Sequence, residues 1–303
     1  MVDSKQAVAN AFRSGLMVPS FNVPYLPMVE PVVRAVADTD SFAFVAVARL
    51  EWVKFQAKGL GPVIEEFKKW ERPGYVRLHL DHVPVIDEDK LAVDYEGILS
   101  EAAALGYHSL MIDGSRLKLE DNIAATRKAV TIAHNAGIPC EAELGAVLGH
   151  EAGPPPPYEE IFRSGKGFTD VEEASRFVRE SGCDWLSVAI GNIHGAVSGA
   201  LKDQKKVAAR LNIDHLRKLR DATGVPLVLH GGSGIQRAYV LESIRNGIAK
   251  VNVGTEIRQA YEVALRETND VAAAQEATYK RTSELLRDEF ELAGARKQIT
   301  GEA

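Results

Sequence analysis

Sulfur is scarce in this chain. Its 303 residues include two cysteines, Cys140 and Cys183, and neither belongs to a CxxC pair. A sulfur-based metal site is thereby excluded and a reducing compartment is expected, while a chain of this size needs no disulfide staples. Long apolar runs are also missing. No stretch approaches the ~18 residues of a membrane span, and "MVDSKQAVANAFRSG" at the start carries acid and polar groups where a secretory leader needs an apolar core. A net charge of −6, with no run of basic residues, argues against nucleic acid or an anionic membrane as partner. The expectation is a soluble, cytoplasmic protein. Biased composition is confined to four prolines in "GPPPPYEEIFRSGKG" (153–167), which reads equally as a rigid surface linker and as a lid.

What the chain does have is alternation. Short β-rich runs recur between helical patterns: "MVPSFNV" (17–23), "FAFVAV" (42–47), "VRLHLD" (76–81), "HSLMID" (108–113), "IPCEAEL" (138–144), "WLSVAIG" (185–191), "PLVLHG" (226–231) and "KVNVGT" (250–255). Most are nearly continuous apolar runs, as parallel strands covered by helices require. Between them, Asp121 to Ala136 sets Ile123, Val130 and Ala133 on one side and stops at Gly137. Asn212 can cap a helix carrying Ile213, Leu216 and Leu219 that ends at Gly224, and "DVEEASRFVRESG" (170–182) has the same grammar. Eight such units predict an α/β fold, a single (β/α)8 TIM barrel domain over residues 1–303, with those from about 275 as a C-terminal helical extension. An open doubly wound sheet is the alternative. It is disfavoured because no GxGxxG follows the first strand.

In such a barrel chemistry sits at the C-terminal strand ends. The third strand ends in Asp81-His82, the fourth in Asp113, the sixth in "GNIHG" with His194, and the seventh in His230; the fifth carries Glu141 and Glu143 on one face. Histidines from three strand ends suit a catalytic zinc with an open position, against the bland reading of separate hydrogen-bonded histidines. Asp113 and Glu143 could add oxygen ligands or merely brace rim loops. The turns "HGGSG" and "NVGT" offer exposed amides and the hydroxyls of Ser233 and Thr255, a phosphate-binding arrangement after strands seven and eight. Lys250 begins the eighth strand, at the wrong end for an imine mechanism. His79 shares parity with Asp81 and reads as a supporting hydrogen-bond partner, whereas His108, His134 and His215 read as structural or exposed.

"LHLDH", "MIDGS", "EAELG", "AIGNIHG", "LHGGSG" and "KVNVGTE", in this order from about Val18 to Arg266, resemble the class II, metal-dependent ketose-bisphosphate aldolases. The resemblance implies a zinc lyase of carbohydrate metabolism, such as glycolysis. It would reversibly cleave a ketose phosphate to dihydroxyacetone phosphate and an aldehyde. It implies zinc on His82, His194 and His230, and a second or displaced divalent ion at Asp113 and Glu143. Asp81 would exchange a proton with the aldehyde-derived hydroxyl, and Glu151 would act as the base beside the ketone. Asn22, Gly195, Gly231, Gly232, Ser233, Asn252, Val253, Gly254 and Thr255 would hold the phosphorylated ketone, with room for a monovalent cation near the phosphate. A homodimer or homotetramer is also implied.

Several departures concern the aldehyde side. Val83-Pro84-Val85 opens a long loop, "VPVIDEDKLAVD", where relatives have a small residue. Ala48-Arg49-Leu50-Glu51 replaces a Ser-x-Gly, and "GHEAG" makes His150 and Ala152 unusual. Glu256 resembles the tagatose-bisphosphate branch. Arg49 and Lys58 are candidate anion contacts against an ordinary solvated role. Two other readings stay open: a sugar-phosphate-binding barrel without catalysis, and a hydrolase or epimerase. Retention of Asp81 and Glu151 weighs against the first, and the lack of an HxH pair on the first strand against the second.

Overall fold

The apolar runs form strands because each can bury both faces, one against its neighbours across a barrel and one beneath helices. In the computed structural model, which describes residues 2–145, 158–165, 167–192, 210–232 and 234–302, parallel strands β1–β8 close into a barrel in sequence order. They are β1 Val18–Asn22, β2 Ala43–Ala48, β3 Val76–Pro84, β4 Ser109–Asp113, β5 Cys140–Leu144, β6 Trp185–Val188, β7 Leu227–Leu229 and β8 Ile248–Val253. The expected (β/α)8 barrel is thus observed, and each anticipated run overlaps its strand.

Two of the boundaries that differ from the sequence reading bear on the site. β3 runs on to Pro84, which pairs with Asp113 at the end of β4, so "VP" continues the strand before the loop begins. β8 begins at Ile248, which puts Lys250 in mid-strand with its side chain fully buried. A charged residue looked like a strand start, but an acidic partner inside the barrel allows it to lie within.

The barrel interior is unusually polar toward one end. His79, Ser109, Glu141, Ser187 and Lys250 are all inaccessible to solvent. Beneath them Phe44 packs against His79 and Trp185, with ring centroids 5.6 and 5.8 Å away, making an apolar floor. The helices outside follow the sequence signals closely. Asp170 caps Val171–Ser181 by accepting from the Glu172 and Glu173 amides, and Asn212 caps Ile213–Thr223 by accepting from the His215 amide. Gly182 and Gly224, at φ 75 and 66, end these helices in the left-handed region.

Past β8, helices Thr255–Thr268 and Val271–Glu284 complete the ring. Arg34, in helix Val29–Asp38, stacks on Tyr279 at 4.0 Å and pairs with Glu276. Helix Arg296–Thr300 returns to the start of the chain, where Asn10 donates to the Ile299 carbonyl at 2.9 Å. No helix among the described residues is long and apolar enough to cross a membrane. Because the Asp170 cap satisfies two otherwise orphaned amides, Asp170→Ala should cost about 1 kcal/mol in urea unfolding. An unchanged midpoint would contradict the cap.

Candidate metal centre

His82 owes its position to an irregularity. The pairing of β3 with β4 shifts register between Leu80 and Val83, so Asp81 and His82 lie in a bulge. His82 adopts φ 30, a left-handed conformation that non-glycine residues hold only when the surroundings impose it. The bulge carries the imidazole across the barrel mouth to His230, at the end of β7, with Nε2 of His82 2.6 Å from Nδ1 of His230.

The outer nitrogens of both rings are committed. His230 Nε2 lies 2.8 Å from Glu141 Oε1. A carboxylate oxygen can only accept there, so Nε2 carries the proton and Nδ1 keeps its lone pair. His82 Nδ1 faces Asp113 Oδ2 at 3.4 Å and Glu143 Oε2 at 4.0 Å, which leaves Nε2 for the same meeting point. Two imidazole lone pairs aimed at one another repel unless a proton or a cation lies between them. Ligand atoms of Asp81, His82 and His230 lie within 4.8 Å of one another, and so do those of His82, Asp113 and Glu143. This donor set of imidazoles and carboxylates fits a divalent transition ion.

The protonation balance points the same way. Burial opposes charge on His82, but Asp81, Asp113 and Glu143 outweigh it and push its pKa up to about 10. Burial and the charge of His82 lower that of His230. Burial would raise Asp81, yet His82, His230 and Lys250 together hold it well below the usual carboxylate range. Asp113 is likewise depressed against its burial by His82. Burial, helped by the charge of Asp113, pushes Glu143 up to about 8. The pocket is thus a trap for positive charge.

Asp81 is clamped from both sides. Asn22 Nδ2 donates to its Oδ2 and Asn252 Nδ2 to its Oδ1, each at 2.8 Å. Asn252 in turn accepts from Lys250 Nζ at 2.6 Å, and Lys250 lies 2.9 Å from Glu141 Oε2. A continuous polar chain therefore joins Asp81 to His230 through the barrel interior. Gly231, at φ 67, turns the chain after His230; a side chain on Gly232 would strike Val251, and one on Gly254 would touch Asn22. The β7 and β8 turns thus close on Asn22 and Asn252, with Val253 buried and Thr255 opening a helix.

Of the anticipated residues, Asp81, His82, His230, Asp113, Glu143, Asn22 and Asn252 meet at one rim. Glu151, His194, Gly195 and Ser233 lie outside the described residues, as do His150, Ala152 and residues 153–157 of the proline-rich segment. Among the bland histidines, His108 Nδ1 accepts the Leu78 amide, His134 meets Asp184 and His215 meets the Thr169 carbonyl. Glu256 pairs with Arg281 of the C-terminal helix.

Three residues were passed over. Glu141 was visible from its parity with Glu143, and Lys250 from its parity with Asn252. Glu51 had no sequence signal. It lies in the first turn of helix Arg49–Lys54 after β2, is buried, and reaches back to accept the Ala48 amide at 2.7 Å; burial pushes its pKa up to about 8. Beside it Arg49 lies 3.5 Å from Asp87, in a loop where Asp87 also accepts the Asp89 and Leu91 amides. Lys58 is exposed on the following turn.

A family model described as "Fructose-bisphosphate aldolase class-II" matches residues 2–298. The structure is similar to that of the YdjI aldolase from Escherichia coli K12, with a TM-score of 0.77, 29% identity, and 97% and 99% of the two chains covered. A fructose-bisphosphate aldolase of Streptococcus pyogenes serotype M3 is 41% identical over 67% of this chain and 61% of its own length. A 6-phospho-5-dehydro-2-deoxy-D-gluconate aldolase of Halalkalibacterium halodurans is 39% identical over 64% and 59%. The matched stretch spans about three-fifths of these curated relatives.

Because the metal-free site holds a proton on His82 up to about pH 10, an entering ion must displace it. Zinc added to metal-free protein near pH 8 should release protons, followed with an indicator dye, and the release should fade above about pH 10. His230→Ala should abolish both the release and tight zinc retention.

Proposed function

The chain belongs to the class II fructose-bisphosphate aldolase family, and from that membership we propose that it is a metal-dependent aldolase reversibly cleaving a ketose phosphate or bisphosphate to dihydroxyacetone phosphate and an aldehyde. The observation that carries this reading is the doubly clamped Asp81 beside the facing imidazoles of His82 and His230. A binding protein would gain nothing from an ionised carboxylate held at the edge of a metal site.

His82 and His230, joined by His194 on the strength of its motif, would hold the ion, with zinc the proposed occupant. When bound, the ion supplies a Lewis acid for the negative charge that develops on the ketone oxygen. The chain's own residues handle the protons. Asp81 is kept ionised by its surroundings, and two amide donors fix its oxygens. In cleavage it accepts the hydroxyl proton as the carbon–carbon bond breaks and the new aldehyde carbonyl forms. The bonding pair passes to the three-carbon fragment as an enediolate. Glu151 then delivers a proton to that carbon to complete dihydroxyacetone phosphate. In condensation both transfers reverse. Asp113 and Glu143 hold His82 in place and offer a second divalent position.

The phosphate would sit where Gly231, Gly232 and the turn Asn252–Thr255 lie beside the start of helix Thr255–Thr268, with Ser233, Gly195 and a monovalent cation added on the strength of the motifs alone. The aldehyde side would be built from the start of helix Arg49–Lys54 and the loop 85–94. Arg49, Glu51 and Asp87 there support a substrate other than the fructose or tagatose bisphosphates. We further propose a cytoplasmic homodimer or homotetramer acting in carbohydrate metabolism.

A panel of ketose mono- and bisphosphates, read by dihydroxyacetone phosphate release, tests the activity. Purified protein should carry about one zinc per chain. Asp81→Ala should keep the zinc and lose about 10²–10⁴-fold in turnover. Silence across the panel with zinc present, or unchanged turnover in Asp81→Ala, would overturn the reading.

A further inference from the structure

A second group of potential ligands lies directly below the histidine pair. His79, Asp81 and Glu141 offer ligand atoms within 4.8 Å of one another, and all three residues are buried. His79 Nε2 stands 3.7 Å from Glu141 Oε2 and 3.8 Å from Asp81 Oδ1. Both His79 Nε2 and Glu141 Oε2 are buried without a hydrogen bond, and both face this space. Its other nitrogen, Nδ1, is engaged by Ser109 Oγ at 2.8 Å, so the free nitrogen is fixed in its aim.

By donor chemistry alone this would be a metal site: one imidazole and two carboxylates, dry and preformed. One feature of the chain distinguishes it from the rim site. Lys250 Nζ lies 2.9 Å from Glu141 Oε2, an ion-pair contact whose angle is not that of a hydrogen bond, and donates to Asn252 at 2.6 Å. Its side chain is inaccessible to solvent, so the ammonium has no water to retreat into. A divalent ion on Glu141 Oε2 would have to share that oxygen with a fixed positive charge.

We propose that Lys250 is the resident cation of the His79–Asp81–Glu141 cluster, excluding a divalent ion there and confining it to the histidine rim above. The lysine acts as a positioning residue: it leaves Asp81 free for the amide clamp and Glu141 free to orient His230. The cluster is competent to bind metal and is held closed by one charge. That charge also depresses the pKa of His79 after burial, keeping its ring neutral. The inference rests on reading His82 and His230 as ligands of the rim ion.

Metal content measures this directly, without any assay of turnover. Wild type, Lys250→Ala and Lys250→Met are incubated with excess zinc, desalted and counted by mass spectrometry. Both lysine variants should hold about one more zinc per chain than wild type. Adding His79→Ala to either should return the count to that of wild type. In the unaltered chain His79→Ala should leave the count unchanged, and this arm stands even if the lysine variants fail to fold. An unchanged count in a folded lysine variant, an extra ion that survives His79→Ala, or zinc lost from His79→Ala alone would overturn the proposal. A wild type without zinc whose lysine variants gain an ion removable by His79→Ala would defeat the rim reading but not this one. Zinc in the wild type with no gain in the variants would do the reverse.

Discussion

Four acidic side chains share the upper interior of this barrel, and the cost of burying them together is the constraint the rest of the site answers. Asp81, Glu141 and Glu143 are almost wholly buried, and Asp113 is only slightly exposed. Each buried charge loses its hydration, at a penalty of several kcal/mol unless a partner compensates. The compensation is divided by depth. Lys250 serves Glu141 from below, two carboxamides serve Asp81 from the sides, and the imidazole of His82 leans on Asp113 and Glu143 from above. What these groups leave unbalanced is the space between His82 and His230, so the same arithmetic that makes the interior tolerable makes the rim a cation site.

Strand geometry decides which groups can take part. Alternation sends His79 and Asp81, Glu141 and Glu143, and Lys250 and Asn252 into the interior as pairs two residues apart. His82 would by that rule point outward to the helices. The bulge between Leu80 and Val83 cancels the alternation for one residue and turns His82 toward its partner. A regular β3 would keep Asp81 in place and lose the imidazole, separating proton transfer from the ion. The left-handed backbone at His82 is the cost of having both on consecutive residues.

Much of this could be read from the residues because it follows period and position. Eight apolar runs and their flanking caps predict a barrel, since Asp170, Asn212, Gly182 and Gly224 stop and start helices by local chemistry alone. The rim rule then picks out Asp81, His82, Asp113 and His230 without any contact information. The interior chain was less accessible. Lys250 looked like a strand start because a lone lysine in an apolar run is ordinarily at its edge, and only the facing Glu141, more than a hundred positions away, makes its burial tolerable. The long "VPVIDEDKLAVD" insertion was seen, but its shape was not. Val85 hydrogen-bonds to the Asp113 carbonyl, Ile86 bridges to Ala92, and Asp87 gathers two amides, so the segment is a folded brace on β4.

That brace bears on specificity. The proposed ketone half of the site would be made of strand residues whose side chains are fixed by the barrel's own alternation, so it can change little without disturbing the interior. The proposed aldehyde half would be made of the helix after β2 and the loop after β3, which meet through Arg49 and Asp87 at 3.5 Å. Glu51, in the first turn of helix Arg49–Lys54, closes that helix onto its own strand end by accepting the Ala48 amide. Ala48 pairs with Asp81 across the β2–β3 ladder, so any change in this segment lies one strand from Asp81. On the proposed function, an aldehyde bound here would meet Glu51 and Arg49 with its oxygen toward Asp81. On that reading, chemistry and selectivity would thus occupy adjacent strands but answer to different constraints, one to the buried charge balance and the other to the two segments joined through Arg49 and Asp87.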